Sequence, residues 1–195
     1  MSEILHIESI HQAHSMLGLP EPKHPLISIN YDREMTYDNQ HVGKKIVFEN
    51  YLIFFKDAKE GSMGYGRNSY DFENCTLVFI APGQVLELID CNVLQNSKGW
   101  SLSFHPDLIR KSNLGKHIDE YNFFSYESNE ALHLSSYERR DIEEIIAKIK
   151  REYEQNQDRH SQMLIISNLE LLLNYCLRFY DRQFFTRTNF NKDFV

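Results

Sequence analysis

The stretch SQMLIISNLELLLNYCLRFYDR, residues 161–182, decides how the rest of the chain is read. Its polar residues Ser167, Glu170, Asn174, Arg178 and Asp181 recur every three or four positions and form one narrow helical stripe. The apolar remainder covers about two thirds of the circumference at 3.6 residues per turn, where a one-sided helix shows a stripe of ~100°. Such a helix has to bury two faces. One can pack on a neighbouring helix or on the body of the chain, and a second copy of the chain is the simplest candidate for the other. Leu164, Ile165, Leu169, Leu172, Leu173, Cys176, Phe179 and Tyr180 are therefore the candidate dimerisation residues.

A more ordinary helix precedes it. Ser135 and Glu138 have the spacing of a capping box, which satisfies amides left open at a helix start. Ile142, Ile145, Ile146, Ile149 and Tyr153 then follow a helical period on one face, with charged residues opposite. Everything upstream reads as short strands. Leu26–Asn30 is one. Lys45–Lys56, KIVFENYLIFFK, is a longer one, broken or bulged at Glu49–Asn50. Thr76–Ala81 ends at Pro82–Gly83, and Val85–Asp90 follows. In WSLSFH, residues 100–105, Trp100, Leu102 and Phe104 share one face, and Ser101, Ser103 and His105 the other. The three glycines of EGSMGYG, 60–66, predict a tight connection. Near the N-terminus, residues 8–17 predict a short helix that stops at Gly18, and Pro20, Pro22 and Pro25 then impose an extended arm. The fold class is α+β: a small antiparallel barrel or sandwich followed by two helices.

The composition suits one domain of 195 residues, 42% apolar with 13 Phe and 11 Tyr, and excludes a disordered chain. Residues 1–134 hold 11 Lys and Arg against 18 Asp and Glu and so carry the whole net charge of −7. No basic patch marks a nucleic-acid surface on this chain itself. Cys75, Cys91 and Cys176 are odd in number and far apart, as expected of reduced thiols in a cytoplasmic protein. The N-terminus lacks the apolar run of a signal peptide, and no stretch approaches the ~18 apolar residues of a membrane span, so no membrane partner is expected.

The nine histidines include no His-x-His pair, and His11 and His14, three apart on the short helix, read as solvated. No metal and no cofactor are expected. There is no Gly-x-Ser-x-Gly elbow, and Gly61, Gly64 and Gly66 do not match a phosphate loop, so no catalytic residue is assigned. A pocket for a small organic ligand is the better functional idea. Its candidate residues are Tyr65, Arg67 and Tyr70 beside the glycine-rich turn, and Trp100 and His105 at the two ends of one strand.

The chain resembles the N-terminal regulatory domain of AraC-family transcription regulators. The resemblance is carried by PKHPLISI (22–29), YGRNSYDFE (65–73), LVFIAPGQV (77–85), GWSLSFHPDLIRKSNLGKHIDEYNFFSYESNEALHLS (99–135) and, most specifically, ISNLELLLNYCLRFYDRQFFTRTNFNKD (166–193). It implies a cupin-like barrel at 26–134 without a catalytic metal set, preceded by a helix and arm at 1–25. It also implies a helical dimerisation element at 135–182 and a linker at 183–195, leading to a DNA-binding domain with two helix-turn-helix motifs that this chain does not contain. The chain would then be a homodimeric sensor of a small-molecule effector, meeting DNA only through that further domain. A Cys stands at position 75 where glycine is expected in this turn. Two other readings stay open: a metal-dependent enzyme of cupin fold, and an assembly domain whose barrel is filled by its own side chains.

Overall fold

The break at Glu49–Asn50 is where the chain changes sheets. The computed structural model describes residues 4–35, 43–57, 62–65, 68–71, 75–87, 98–125, 131–155, 158 and 160–192, with the backbone alone at 62–65, 68–71 and 185–192. One sheet contains β1 (Ile4–Ile7), β3 (Lys45–Phe48), β5 (Ser62–Tyr65), β6 (Asn68–Asp71) and β8 (Val85–Glu87), in the order β1-β3-β8-β5-β6. The other contains β2 (Ile27–Tyr31), β4 (Tyr51–Lys56), β7 (Thr76–Ile80), β9 (Trp100–Phe104) and β10 (Leu132–His133), in the order β10-β7-β4-β9-β2. Neighbours run antiparallel except β1 and β3, which are parallel. Among the described residues no strand pairing joins the two sheets, so they form a sandwich and not one closed barrel.

The second sheet is covered on both faces. Its outer face presents Ile27, Ile29, Ile53, Phe55, Leu77, Phe79, Trp100, Leu102 and Phe104 to the helices. Its inner face presents Leu52, Val78 and Ile80 to Ile7, Ile46, Phe48 and Leu86 of the first sheet. Side chains alternate along a strand, so residues bound for the two faces must alternate too, and both must be apolar where both faces are covered. YLIFFK satisfies that demand in β4.

Helix α1 (Ile10–Met16) starts at Ser9, whose hydroxyl accepts from Gln12 N, and closes the inner core with Ala13 and Met16. Two short helices, α2 (Pro106–Ile109) and α3 (Asn113–His117), follow β9. Helix α4 (Ser136–Glu154) opens with the capping box of Ser135 and Glu138, both bonds formed. Helix α5 runs from Ser161 to Lys192. None of the described helices is long and apolar enough to cross a membrane.

The two apolar faces of α5 are both absorbed within the chain. Ile165, Leu169, Leu172, Leu173 and Cys176 are 0% exposed, and Phe179 and Tyr180 are buried with them. One side meets the isoleucines of α4, and the other meets Leu108, Leu114, Tyr121, Phe123 and the outer sheet face. Tyr121, Phe123 and Phe124 sit in short 3-10 turns at 118–124, and the Phe123 and Tyr180 rings lie 6.0 Å apart. Of the eight candidate dimerisation residues only Leu164 is exposed; the other seven are already core. The sequence shows how much apolar surface a helix carries, not whose surface covers it.

The helix also continues past Arg182 into the stretch expected to be a linker, since QFFTRTNFNK, 183–192, contains neither Pro nor Gly. Gln183 ties this end to the sheet. Its amide donates to Ala131 O (3.0 Å) and accepts from His133 N (2.9 Å), while Arg182 donates to His133 O (3.1 Å). Cys75 adopts φ 60°, the left-handed backbone that glycine takes most readily. Strands β1, β5, β6 and β10 lie outside the sequence expectation. All four are of four residues or fewer, too short for a clear alternation, and β1 is held by parallel pairing to β3 that only the tertiary fold supplies.

Leu172→Ala is expected to destabilise the chain by about 2–5 kcal/mol, the usual range for a large-to-small core change. Leu171→Ala, one residue away on the exposed face, should stay within about 0.5 kcal/mol. Urea unfolding of the two variants checks the orientation of α5.

Candidate functional site

The inner face of the second sheet is not uniformly apolar. Register places Ser28 opposite Ser103, and Ser103 opposite Leu52; Asn30 lies opposite Ser101, and Ser101 opposite Phe54. On the far side Leu52 meets Ile80, Phe54 meets Val78 and Lys56 meets Thr76. The β4–β7 half is thus apolar apart from its last row, whereas the β2–β9 half carries small hydroxyls and an amide. Asn30, Phe54 and Ser103 on this inner face are only half-buried. Solvent therefore reaches part of this interior.

His14 closes one end of the polar half. Its Nδ1 lies 2.5 Å from Pro20 O and its Nε2 lies 2.6 Å from Ser28 Oγ. A carbonyl only accepts, so Nδ1 carries a hydrogen. With the neutral imidazole, Ser28 then donates to Nε2 and accepts from Asn30 Nδ2 at 2.7 Å. One hydrogen-bonded line runs from the arm, through α1, onto the inner sheet face. Farther along, Lys23 N of the arm donates to the phenol oxygen of Tyr153 on α4 at 3.1 Å. His24, buried beside it, accepts from Leu26 N, and burial pushes its imidazole below the usual histidine value.

The other end is closed by an ion pair. Lys56 Nζ lies 2.7 Å from Asp32 Oδ1, with side chains 3% and 0% exposed. Burial pushes the ammonium below the ordinary lysine range, and Asp32 pulls it back up less strongly. Asp32 also receives Gly99 N on Oδ2 (3.1 Å) and donates its own N–H to Gly99 O (3.1 Å). A Cβ at position 99 would run into the Asp32 carboxylate and the Phe55 carbonyl, so only glycine fits this clasp. The hydroxyl of Ser103 is buried and has no hydrogen-bond partner, an arrangement that costs about 1–3 kcal/mol if nothing fills it.

Of the residues expected to bind a ligand, Trp100 and His105 lie away from this face. Trp100 points to the helix side, stacked on Phe55 at 5.6 Å, in the outer core. His105 caps α2 by accepting from Asp107 N at 3.1 Å. Tyr65 and Tyr70 lie on the β5–β6 hairpin of the other sheet, and Arg67 and Cys91 lie outside the described residues. Ser28, Asn30, Phe54 and Ser103 were legible only in part. WSLSFH shows Ser101 and Ser103 on one face, but LISIN had to be paired with it before Ser28 and Asn30 joined them. Among the described residues no group of three or more His, Cys, Asp or Glu could hold a metal ion. A scan against protein-family models finds no match to the chain, and a search against curated proteins finds none.

Lys56→Met takes the cation from a buried carboxylate and is expected to cost about 3–5 kcal/mol. Replacing both partners, Lys56→Met with Asp32→Asn, should restore most of that loss. Equal losses in the single and double variants, measured by denaturant unfolding, would show that the pair is not coupled.

Proposed function

We propose that this chain is the effector-sensing domain of an AraC-type transcription regulator. A cupin-like body takes a small molecule between its sheets, and the helices relay the change to a partner copy and to a DNA-binding domain. The observation that carries this reading is the solvent-reached polar part of the second sheet's inner face, wired through His14 and the arm to Tyr153 of α4. A ligand that engages Ser28 or Asn30 competes with that line of hydrogen bonds. It changes the arm only in so far as it binds one arrangement better than the other. The sequence resemblance supplies the DNA-binding context, and the acidic charge of the chain fits a domain that does not itself touch DNA.

The partner copy would meet α5 on the face that its own chain leaves open. Met163, Leu164 and Leu171 are 59%, 42% and 40% exposed and lie on that face. Light scattering should give twice 23.2 kDa. Leu171→Glu should give the monomer with unchanged circular dichroism, and a monomeric parent chain would remove this part of the reading.

Limited trypsin digestion tests the relay. Any small molecule that raises the melting temperature should change the rate of cleavage after Lys23, and Tyr153→Phe should weaken that response. A bound ligand with no effect on cleavage in the arm would argue against coupling through it.

A further inference from the structure

His14 and His24 both anchor the arm at 18–25, and they answer a proton differently. His14 donates from Nδ1 to Pro20 O, and its Nε2 accepts from Ser28 Oγ at 2.6 Å. A hydroxyl both donates and accepts, so Ser28 can turn and receive a hydrogen from a protonated His14. His24 has no such freedom. Its Nδ1 lies 3.0 Å from Leu26 N, and a backbone N–H only donates. The docked ring is therefore neutral, with its hydrogen on Nε2. A proton on Nδ1 sets donor against donor and puts a charge on a residue that is 7% exposed. Burial is what holds this imidazole below the usual histidine value.

Among the described residues, the charged groups around the arm are engaged elsewhere. Lys23, next in the chain, has the same sign that His24 would gain. Glu21 pairs with His11 of α1 at 2.8 Å. Helix α4 presents Tyr153, whose phenol oxygen receives Lys23 N at 3.1 Å, and Lys150, which lies 3.6 Å from both Glu34 and Glu154. After β9, Asp107 is shared by Arg110 and the His105 ring. His105 reaches the end of the arm only through its backbone, which donates to Leu26 O at 2.8 Å.

We propose that His24 is a proton-operated latch: protonation of Nδ1 breaks its bond to Leu26 N and frees Lys23 N from Tyr153 of α4, while His14 keeps its hold on Pro20. The arm then opens from its far end, hinged at Pro20. The latch needs no ligand and stands apart from the sensing reading. Its direction follows from the docked ring binding a proton less readily than the released one. Docking is fully stable above the ordinary imidazole value of about 6.5 and weakens as the pH falls below it, by up to about tenfold per pH unit, until the lowered value of the docked ring is reached. Carboxylates, with ordinary values of about 4, stay ionised through this window. The His11–Glu21 pair works in the opposite sense, since a proton on His11 strengthens it, but its partners are 63% and 80% exposed and solvent screens them.

The test is NMR relaxation on the whole chain, without ligand, from about pH 7.5 to about pH 5.5. Order parameters of the Lys23 and His24 amides should fall from about 0.85 to below about 0.6. The midpoint should coincide with that of the His24 ring, followed in long-range proton–nitrogen spectra. His24→Asn places an amide oxygen where Nδ1 stands and takes no proton, so its arm should stay ordered across the range. His11→Gln and His105→Asn should leave the transition in place. Urea unfolding at the upper pH controls for folding of the three variants. An arm that stays ordered down to the lower pH, or one that loosens equally in His24→Asn, overturns the latch. Loss of the transition in His11→Gln or His105→Asn overturns its assignment to His24.

Discussion

The sheet β10-β7-β4-β9-β2 has to bury both of its faces, and it does so against two unlike partners. Its outer face meets side chains from helices, which reach it as separate knobs and can be packed densely. Its inner face meets a second sheet only where both are apolar, at Leu52, Val78 and Ile80. Toward β2 and β9 the inner residues are Ser28, Asn30, Ser101 and Ser103, which gain little from burial. The sheets therefore have no hydrophobic reason to close tightly there. A solvent-reached interior follows from the same alternation that builds the core, with polar residues placed on one parity of two adjacent strands.

Among the described residues, charge is handled at the ends of that inner face, not in the middle. Lys56 and Asp32 hold each other where β4 ends, with Gly99 giving the carboxylate room to approach the backbone. His14 at the opposite end bonds a carbonyl and a hydroxyl. Each fixes a short connecting piece of chain: the single 3-10 turn at 32–34 in one case, the proline-rich arm in the other. The polar groups that order the loops are thus also the ones that bound the polar part of the inner face.

The features set by local chemistry could be read in the sequence. The capping box at Ser135, the break at Glu49–Asn50 and the alternation of WSLSFH all depend on a few neighbouring residues. What could not be read depends on who meets whom. The apolar excess of α5 looked like a seam for another molecule because its second cover, Tyr121, Phe123 and Phe124, comes from turns with no periodicity. The polar inner face was divided between Ser28–Asn30 and Ser101–Ser103, some 70 residues apart in sequence, which become one surface only when β2 pairs with β9. The four-residue strand β1 and its parallel partner were invisible for the same reason.

Gln183 has a meaning beyond anchoring a helix. In β10 the backbone groups of Leu134 and its neighbours that face β7 are taken by the sheet; those that face away are Ala131 O, His133 N and His133 O. Gln183 and Arg182 take all three. A primary amide has the same donor and acceptor pair as a peptide unit, so Gln183 stands in for one residue of a further strand, which is absent beside β10 among the described residues. An unfilled sheet border is a template for recruiting foreign strands and, beyond that, for fibril growth. Here helix α5 seals that border with side chains, and stacking of copies by strand addition is closed along it.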